Sequence, residues 1–169
     1  MPIPSLRKVK HIDTKNYPRL IIMSDAHRGD GTGADDFAHN SLLFKCALDY
    51  YFRKGFTYLE LGDAEELWEI SSFDQIYITY TSVYKQLQAF HNEDPEKTRY
   101  LKAWGNHDAS WKDNTGLNRL FPGIQVYEAF ILNKTALLWH GHQADDLCYG
   151  IGAKISRFVV RHLWTGLQR

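Results

Sequence analysis

Arg19-Leu20-Ile21-Ile22-Met23-Ser24-Asp25-Ala26-His27 is an apolar run cut off by an acid and a histidine, and its reading decides the fold. A run of Leu, Ile and Met that stops this abruptly predicts a buried parallel strand. The same punctuation recurs down the chain. Thr57-Tyr58-Leu59-Glu60-Leu61 runs straight into Gly62-Asp63, and Arg99-Tyr100-Leu101-Lys102-Ala103-Trp104 into Gly105-Asn106-His107-Asp108. Residues 124–132 and 135–139 read as two strands joined through Asn133-Lys134 as a hairpin, and the second ends in His140-Gly141-His142.

Between the strands, residues 40–54 carry Leu42, Leu43, Cys46, Ala47, Tyr50 and Tyr51 at helical spacing, with Gly55 as the stop. A second helical segment runs from about 74 to 91, its period blurred by Ile76, Ile78 and Val83. Residues 1–18 are polar and basic and end in Tyr17-Pro18, so they read as a lead-in to one domain over 19–169. Strand, helix, strand, helix, strand, strand pair is an α/β order. In open α/β sheets ligands bind beyond the carboxyl ends of the strands, so the four polar clusters are expected to meet in one crevice.

Composition bounds the rest. A chain of 169 residues suits one domain, and 44% hydrophobic with 24% charged residues is globular, not disordered. With 20 Lys+Arg against 20 Asp+Glu there is no basic excess of the kind a dedicated nucleic-acid binder carries. The two cysteines, Cys46 and Cys148, make neither a disulfide framework nor a zinc ribbon. No apolar run spans a bilayer and no secretory core opens the chain, so a cytoplasmic location is expected.

Each cluster has a chemistry and an ordinary alternative. Asp25 and His27, two residues apart at a strand end, can offer an oxygen and a nitrogen to one metal ion. Asp63 after a glycine can bridge two ions with its two oxygens. Asn106 can ligate without adding charge, and an acid beside His107 can orient it as a proton donor. Singly, these are turn acids and surface histidines. Four in succession at strand ends are not.

In this series the chain resembles the calcineurin-like metallophosphoesterases, whose motifs are Asp-x-His, Gly-Asp, Gly-Asn-His-Asp/Glu, a later His and a final Gly-His-x-His. The first four stand here as Asp25-Ala26-His27, Gly62-Asp63, Gly105-Asn106-His107-Asp108 and His140. The resemblance implies a four-layer α/β/β/α sandwich around two divalent metal ions. It assigns Asp25 and His27 to the first ion, Asp63 to the bridge, and Asn106 with His140 to the second. His107, supported by Asp108, would contact the phosphate and protonate the leaving group, with His142 behind the ligands. A water bridging the ions, its pKa lowered from 15.7 to about 7, would be the nucleophile. Mn²⁺ fits this His/Asp/Asn set first and Fe or Zn²⁺ next, because it is too nitrogen-rich for Ca²⁺ and uncommon for Mg²⁺. No Gly-His-x-His follows residue 142, so the domain is expected to be incomplete at its C-terminus.

A looser likeness is to the branch that cleaves UDP-diacylglucosamine. There a strand-end Gly-Asp precedes an acidic, Trp-containing segment like residues 65–69, but Gly-Asn-Arg-Asp and His-Gly-Asp stand where this chain has His107 and His142. Lipid, nucleotide, phosphoprotein and small phosphoester substrates all stay open. Trp68 and Arg28 are candidates to stand behind the ligands or to touch substrate, and Glu65, Glu66 and Glu69 can line the cleft with Trp68. Glu65, Glu66 and Glu69 read first as the solvated start of a helix, where acids favour the N-terminus. Ile155, Phe158, Val159 and Leu163 make one apolar face of a helix that also carries Lys154, Arg157 and Arg161. Core packing is its first reading, and peripheral membrane contact its second. The functional alternative is a scaffold of the same fold that binds metal and a partner without turnover.

Overall fold

The computed structural model describes residues 6–160 and 162, apart from 34, 95–96, 114–115, 146–147 and 149. The chain is mixed α/β, and two sheets carry it. The strands β2 (Leu20–Met23), β3 (Thr57–Leu61), β4 (Tyr100–Ala103) and β5 (Val126–Tyr127) form one sheet in the order β2-β3-β4-β5, every pair parallel. The second has the order β1-β6-β7, with β1 (Val9–Ile12) parallel to β6 (Ala129–Leu132) and β7 (Ala136–Trp139) antiparallel to it. The expected hairpin is there: Asn133 and Lys134 both hold left-handed backbone, φ 51° and 61°, as its tight turn needs.

Alternation along β3 and β4 builds two cores. Tyr58 and Tyr100 face helices α1 (Ser41–Arg53) and α3 (Thr81–Asn92), where Leu48, Tyr84, Leu87 and Phe90 cover them. Leu59, Leu101 and Ala103 point the other way, against Ile12 and Phe130 of the second sheet. Burying each large apolar side chain contributes about 1.5–3 kcal/mol. Glu60 and Lys102 are register partners on the helix face and pair at 2.8 Å, so the middle of this core is ionic.

Four expectations need correction. The lead-in is not featureless: Val9–Ile12 is a strand, drawn in because the Lys8 carbonyl accepts the Glu128 N–H and Ile12 is fully buried. Residues 124–132 are not one strand. They break at Glu128, so that β5 finishes the first sheet and β6 enters the second. The helix over 74–91 is two, α2 (Phe73–Thr79) and α3, which explains the blurred period: Tyr80 leaves helical geometry between them. β2 is parallel as read but lies at the sheet edge, leaving Ile22 exposed.

Leu42, Leu43 and Tyr50 of α1 are also exposed, and Leu48 is its buried residue. On α4 (Gly150–Val159), Ile155, Phe158 and Val159 are exposed rather than packed on a core. Lys154 is exposed, while the Arg157 side chain, Arg161 and Leu163 lie outside the described residues. No helix among the described residues is long and apolar enough to cross a membrane.

Candidate metal centre

The C-terminal ends of β2, β3 and β4 open side by side, and their loops stay hydrogen-bonded beyond the strands. Asp25 N–H donates to Gly62 O (3.1 Å), His27 N–H to Asp63 O (3.0 Å) and Arg28 N–H to Ala64 O (2.9 Å). Asp25, His27 and Asp63 all hold left-handed backbone, φ 55°, 48° and 49°. Each such residue costs about 1–3 kcal/mol outside glycine, and strain of this kind gathers where side chains must be aimed. The fourth cluster arrives from the end of β7 in the other sheet.

Two groups of donors result, and they share Asp63. Asp25, Asp63 and His140 form one; His27, Asp63 and His107 form the other; within each group one donor atom per residue lies within 4.8 Å of the rest. His140 Nε2 is 3.3 Å from Asp63 Oδ2 and 3.3 Å from Asp25 Oδ1, whereas His27 Nε2 is 4.0 Å from Asp25. Asp25 is thus nearer His140 than its sequence neighbour His27. Asn106 is buried beside the centre, and its main-chain carbonyl accepts the Trp68 indole N–H at 2.6 Å.

Electrostatics reflect the crowding of unlike charges. Burial opposes charge on His27, but the Glu66 hydrogen bond and the carboxylates of Asp63, Glu66 and Asp25 outweigh it and raise its pKa. His140 is raised in the same way, burial being overcome by Asp63 and Asp25. Burial likewise opposes charge on Asp63, yet His140 and the His107 ring and N–H hold its pKa down. Behind the ligands, His142 Nδ1 lies 3.1 Å from His140 Nδ1, turned there by Gly141 at φ 96°. Burial and His140 lower the His142 pKa to about 4, so this ring is neutral. Its own Nε2 has no partner among the described residues.

Asp108 does not support His107. Its carboxylate accepts the backbone N–H groups of Gly105 (2.6 Å), Ala64 (3.0 Å) and Asp63 (3.3 Å), tying two strand-end loops together. It is fully buried, and burial, outweighing the pull of Lys102, pushes its pKa up to about 6. The residue on His107 is Glu66. Its carboxylate takes His107 Nδ1 at 2.7 Å and His27 Nδ1 at 2.8 Å, while Trp68 stacks on the His107 ring at 4.3 Å. Residues 65–69 form no helix: Glu65 bridges to Arg28, Glu66 follows in irregular chain, and both are buried. Sequence reading puts Glu66 second as a cleft residue and first on a solvated helix start, because an acid just past a strand looks solvated, and its two imidazole partners are not encoded in any spacing. Arg28 is corrected too. It is fully buried and bound to Glu60 and Glu65, out of reach of any substrate.

Glycine is required where the loop after β4 meets Asp63. A Cβ on Gly105 would lie 2.1 Å from Asp63 Oδ1 and 2.6 Å from Asp63 N. Gly105→Ala is therefore expected to lower Mn²⁺ affinity by about 10- to 100-fold, the usual penalty for disturbing a ligand's support. Calorimetric titration checks this, and undiminished affinity would show that Asp63 need not sit where it does.

The two donor groups could each hold an ion, with Asp63 common to both and left-handed backbone at Asp25, His27 and Asp63 aiming their side chains. Comparison of the chain with protein-family models, curated proteins and solved structures returns no match.

Proposed function

We propose that the chain is a metal-dependent phosphoesterase of the calcineurin-like kind, built as a four-layer α/β/β/α sandwich around two divalent cations. The observation that carries this reading is the pair of donor groups sharing Asp63. Asp25 and His140 would hold one ion and His27 the other, with Asp63 shared and His107 beside the second group kept for the substrate; Mn²⁺ suits this mixture of imidazole and carboxylate, with Fe or Zn²⁺ as alternatives. When bound, two such ions neutralise charge on a phosphoryl group and activate water at neutral pH.

The protein's own residues do the rest. Glu66 only accepts, so the His107 Nδ1 facing it carries a proton and Nε2 is the nitrogen left for the substrate. Protonated, His107 can deliver that second proton to the departing oxygen, and Glu66 stabilises the charged ring. Stacking on Trp68 fixes the plane of the imidazole. Glu66→Gln keeps the shape but removes the charge that stabilises both rings and turns an NH₂ toward either the rings or the Trp68 and Glu69 N–H groups, and is expected to lower kcat by about 10- to 100-fold. A kcat equal to the parent's would remove Glu66 from the mechanism.

The direct test is hydrolysis of p-nitrophenyl phosphate and bis(p-nitrophenyl) phosphate with and without Mn²⁺. Turnover that appears with Mn²⁺ and disappears with chelator is expected. Two ions bound per chain without turnover of either ester would transfer the assignment to a non-catalytic metal-binding scaffold.

A further inference from the structure

The metal centre stands above the end of β3, and a separate cavity opens on either side of it. On the β4 side lies one of about 680 Å³, reaching from His107 past Ser72 and Ser110 to Arg119. On the β2 side lies one of about 630 Å³, reaching from Asp25 and His27 to Phe37 and Phe44 with Asn40 at its edge. In the sheet order β2-β3-β4-β5 these are opposite flanks. A phosphoryl group held at the centre therefore has two recesses for substituents, one lined by Phe73 and Trp111 with Ser72 and Ser110, the other by Phe37 and Phe44 with Asn40.

Charge points the same way. Among the described residues lining both cavities, Arg119 is the one Lys or Arg, and it is already paired with Asp74. Asp25, Asp36 and Asp74 line them as well. The nearby Arg28 is consumed inside the core by Glu60 and Glu65. A phosphomonoester brings two negative charges at neutral pH and only one substituent; a diester brings one charge and two substituents.

We infer that the substrate is a phosphodiester whose two substituents occupy these flanking cavities, one against Phe73 and Trp111 within reach of Ser72 and Ser110, the other against Phe37 and Phe44. This rests on the phosphoesterase reading. Hydrolysis forms one P–O bond from water, breaks the P–O bond to one substituent, and leaves the water proton on the departing alcohol. The products are that alcohol and a monoester.

The Mn²⁺-loaded protein is assayed with bis(p-nitrophenyl) phosphate and p-nitrophenyl phosphate, alone and after filling each cavity with Ser110→Trp or Asn40→Trp. Both positions are exposed, so the larger ring replaces no core packing. The parent is expected to favour the diester by about tenfold or more in kcat/KM, the scale of discrimination that one apolar pocket supplies. Either filling should collapse that ratio. Calorimetry with diphenylphosphinate and phenylphosphonate, whose P–C bonds are not hydrolysed, gives a second readout free of turnover and of variant folding, and tighter binding of the diester mimic diphenylphosphinate is expected. A preference for the monoester in both readouts, or a ratio that neither filling moves, overturns the diester assignment and leaves the hydrolase standing. Absence of turnover with either ester overturns the hydrolase instead, and the calorimetric preference then decides the cavities alone.

Discussion

Asp63→Ala is expected to empty the centre of both ions and to reduce Mn²⁺-dependent hydrolysis by at least about 100-fold, the loss that follows removal of one preorganised electrostatic group. The reason is geometric. Asp63 alone belongs to both donor groups, so every other ligand lost would weaken one ion, and this one weakens two. Alanine is also strained at φ 49°, where asparagine is tolerated, and a companion Asp63→Asn separates the two effects. The amide keeps the left-handed backbone and can still accept the His107 N–H, now 2.8 Å from Oδ1, but brings no charge to share between ions. Two ions per parent chain, at most one per chain carrying Asp63→Asn and none with Asp63→Ala is the expected series by metal analysis after gel filtration. Retention of two ions in the asparagine variant would mean that the donor groups do not meet at Asp63.

What the sequence makes legible here is whatever is local and periodic. The three parallel strands are readable because each apolar run is bounded by the polar residues it delivers, and the hairpin because Asn133-Lys134 tolerates the backbone its turn requires. Asp25, His27, Asp63, His107 and His140 can be picked out before any coordinates, since their types and their positions after strands coincide. Partnerships are another matter. That Asp25 lies closer to His140 than to His27 depends on how the two sheets face one another, and no spacing encodes it. β1 is four residues of mixed polarity and β5 only two, too short for any period to register.

The acids following Asp63 mislead for a physical reason. A charged residue reads as solvated unless its counter-charges are known, and those of Glu65 come from distant segments, through Arg28 and Lys102, which also pair with Glu60 inside β3. Buried ionic groups are thus the least legible part of this fold. They are also the layer on which the site rests, because Lys102 reaches Asp108, and Asp108 holds the N–H groups of Asp63 and Gly105.

That layer gives the largest stability effect expected of a single substitution. Glu60 accepts from Arg28 (2.8 Å), Lys102 (2.8 Å), Tyr100 (2.7 Å) and Tyr58 (3.0 Å), and is 1% exposed. Glu60→Gln keeps the volume but turns an NH₂ toward donors and leaves Arg28 and Lys102 short of a counter-charge. Breaking a buried pair in this way costs about 3–5 kcal/mol. At about 2–4 °C per kcal/mol for a chain of this size, the unfolding temperature at pH 7 should fall by about 6–20 °C. The loss has a pH signature. Burial alone would raise the Glu60 pKa, but Arg28 and Lys102 overcome it and hold it well below the ordinary value of 4.5. A carboxyl lowered on folding contributes its full stability above the unfolded value and loses it as pH falls toward the folded one. The gap between parent and variant should therefore be widest near neutrality and close progressively below about pH 4.5. Thermal unfolding followed by circular dichroism from pH 7 to pH 3 measures it. A gap that stays constant with pH would assign the loss to packing rather than to charge.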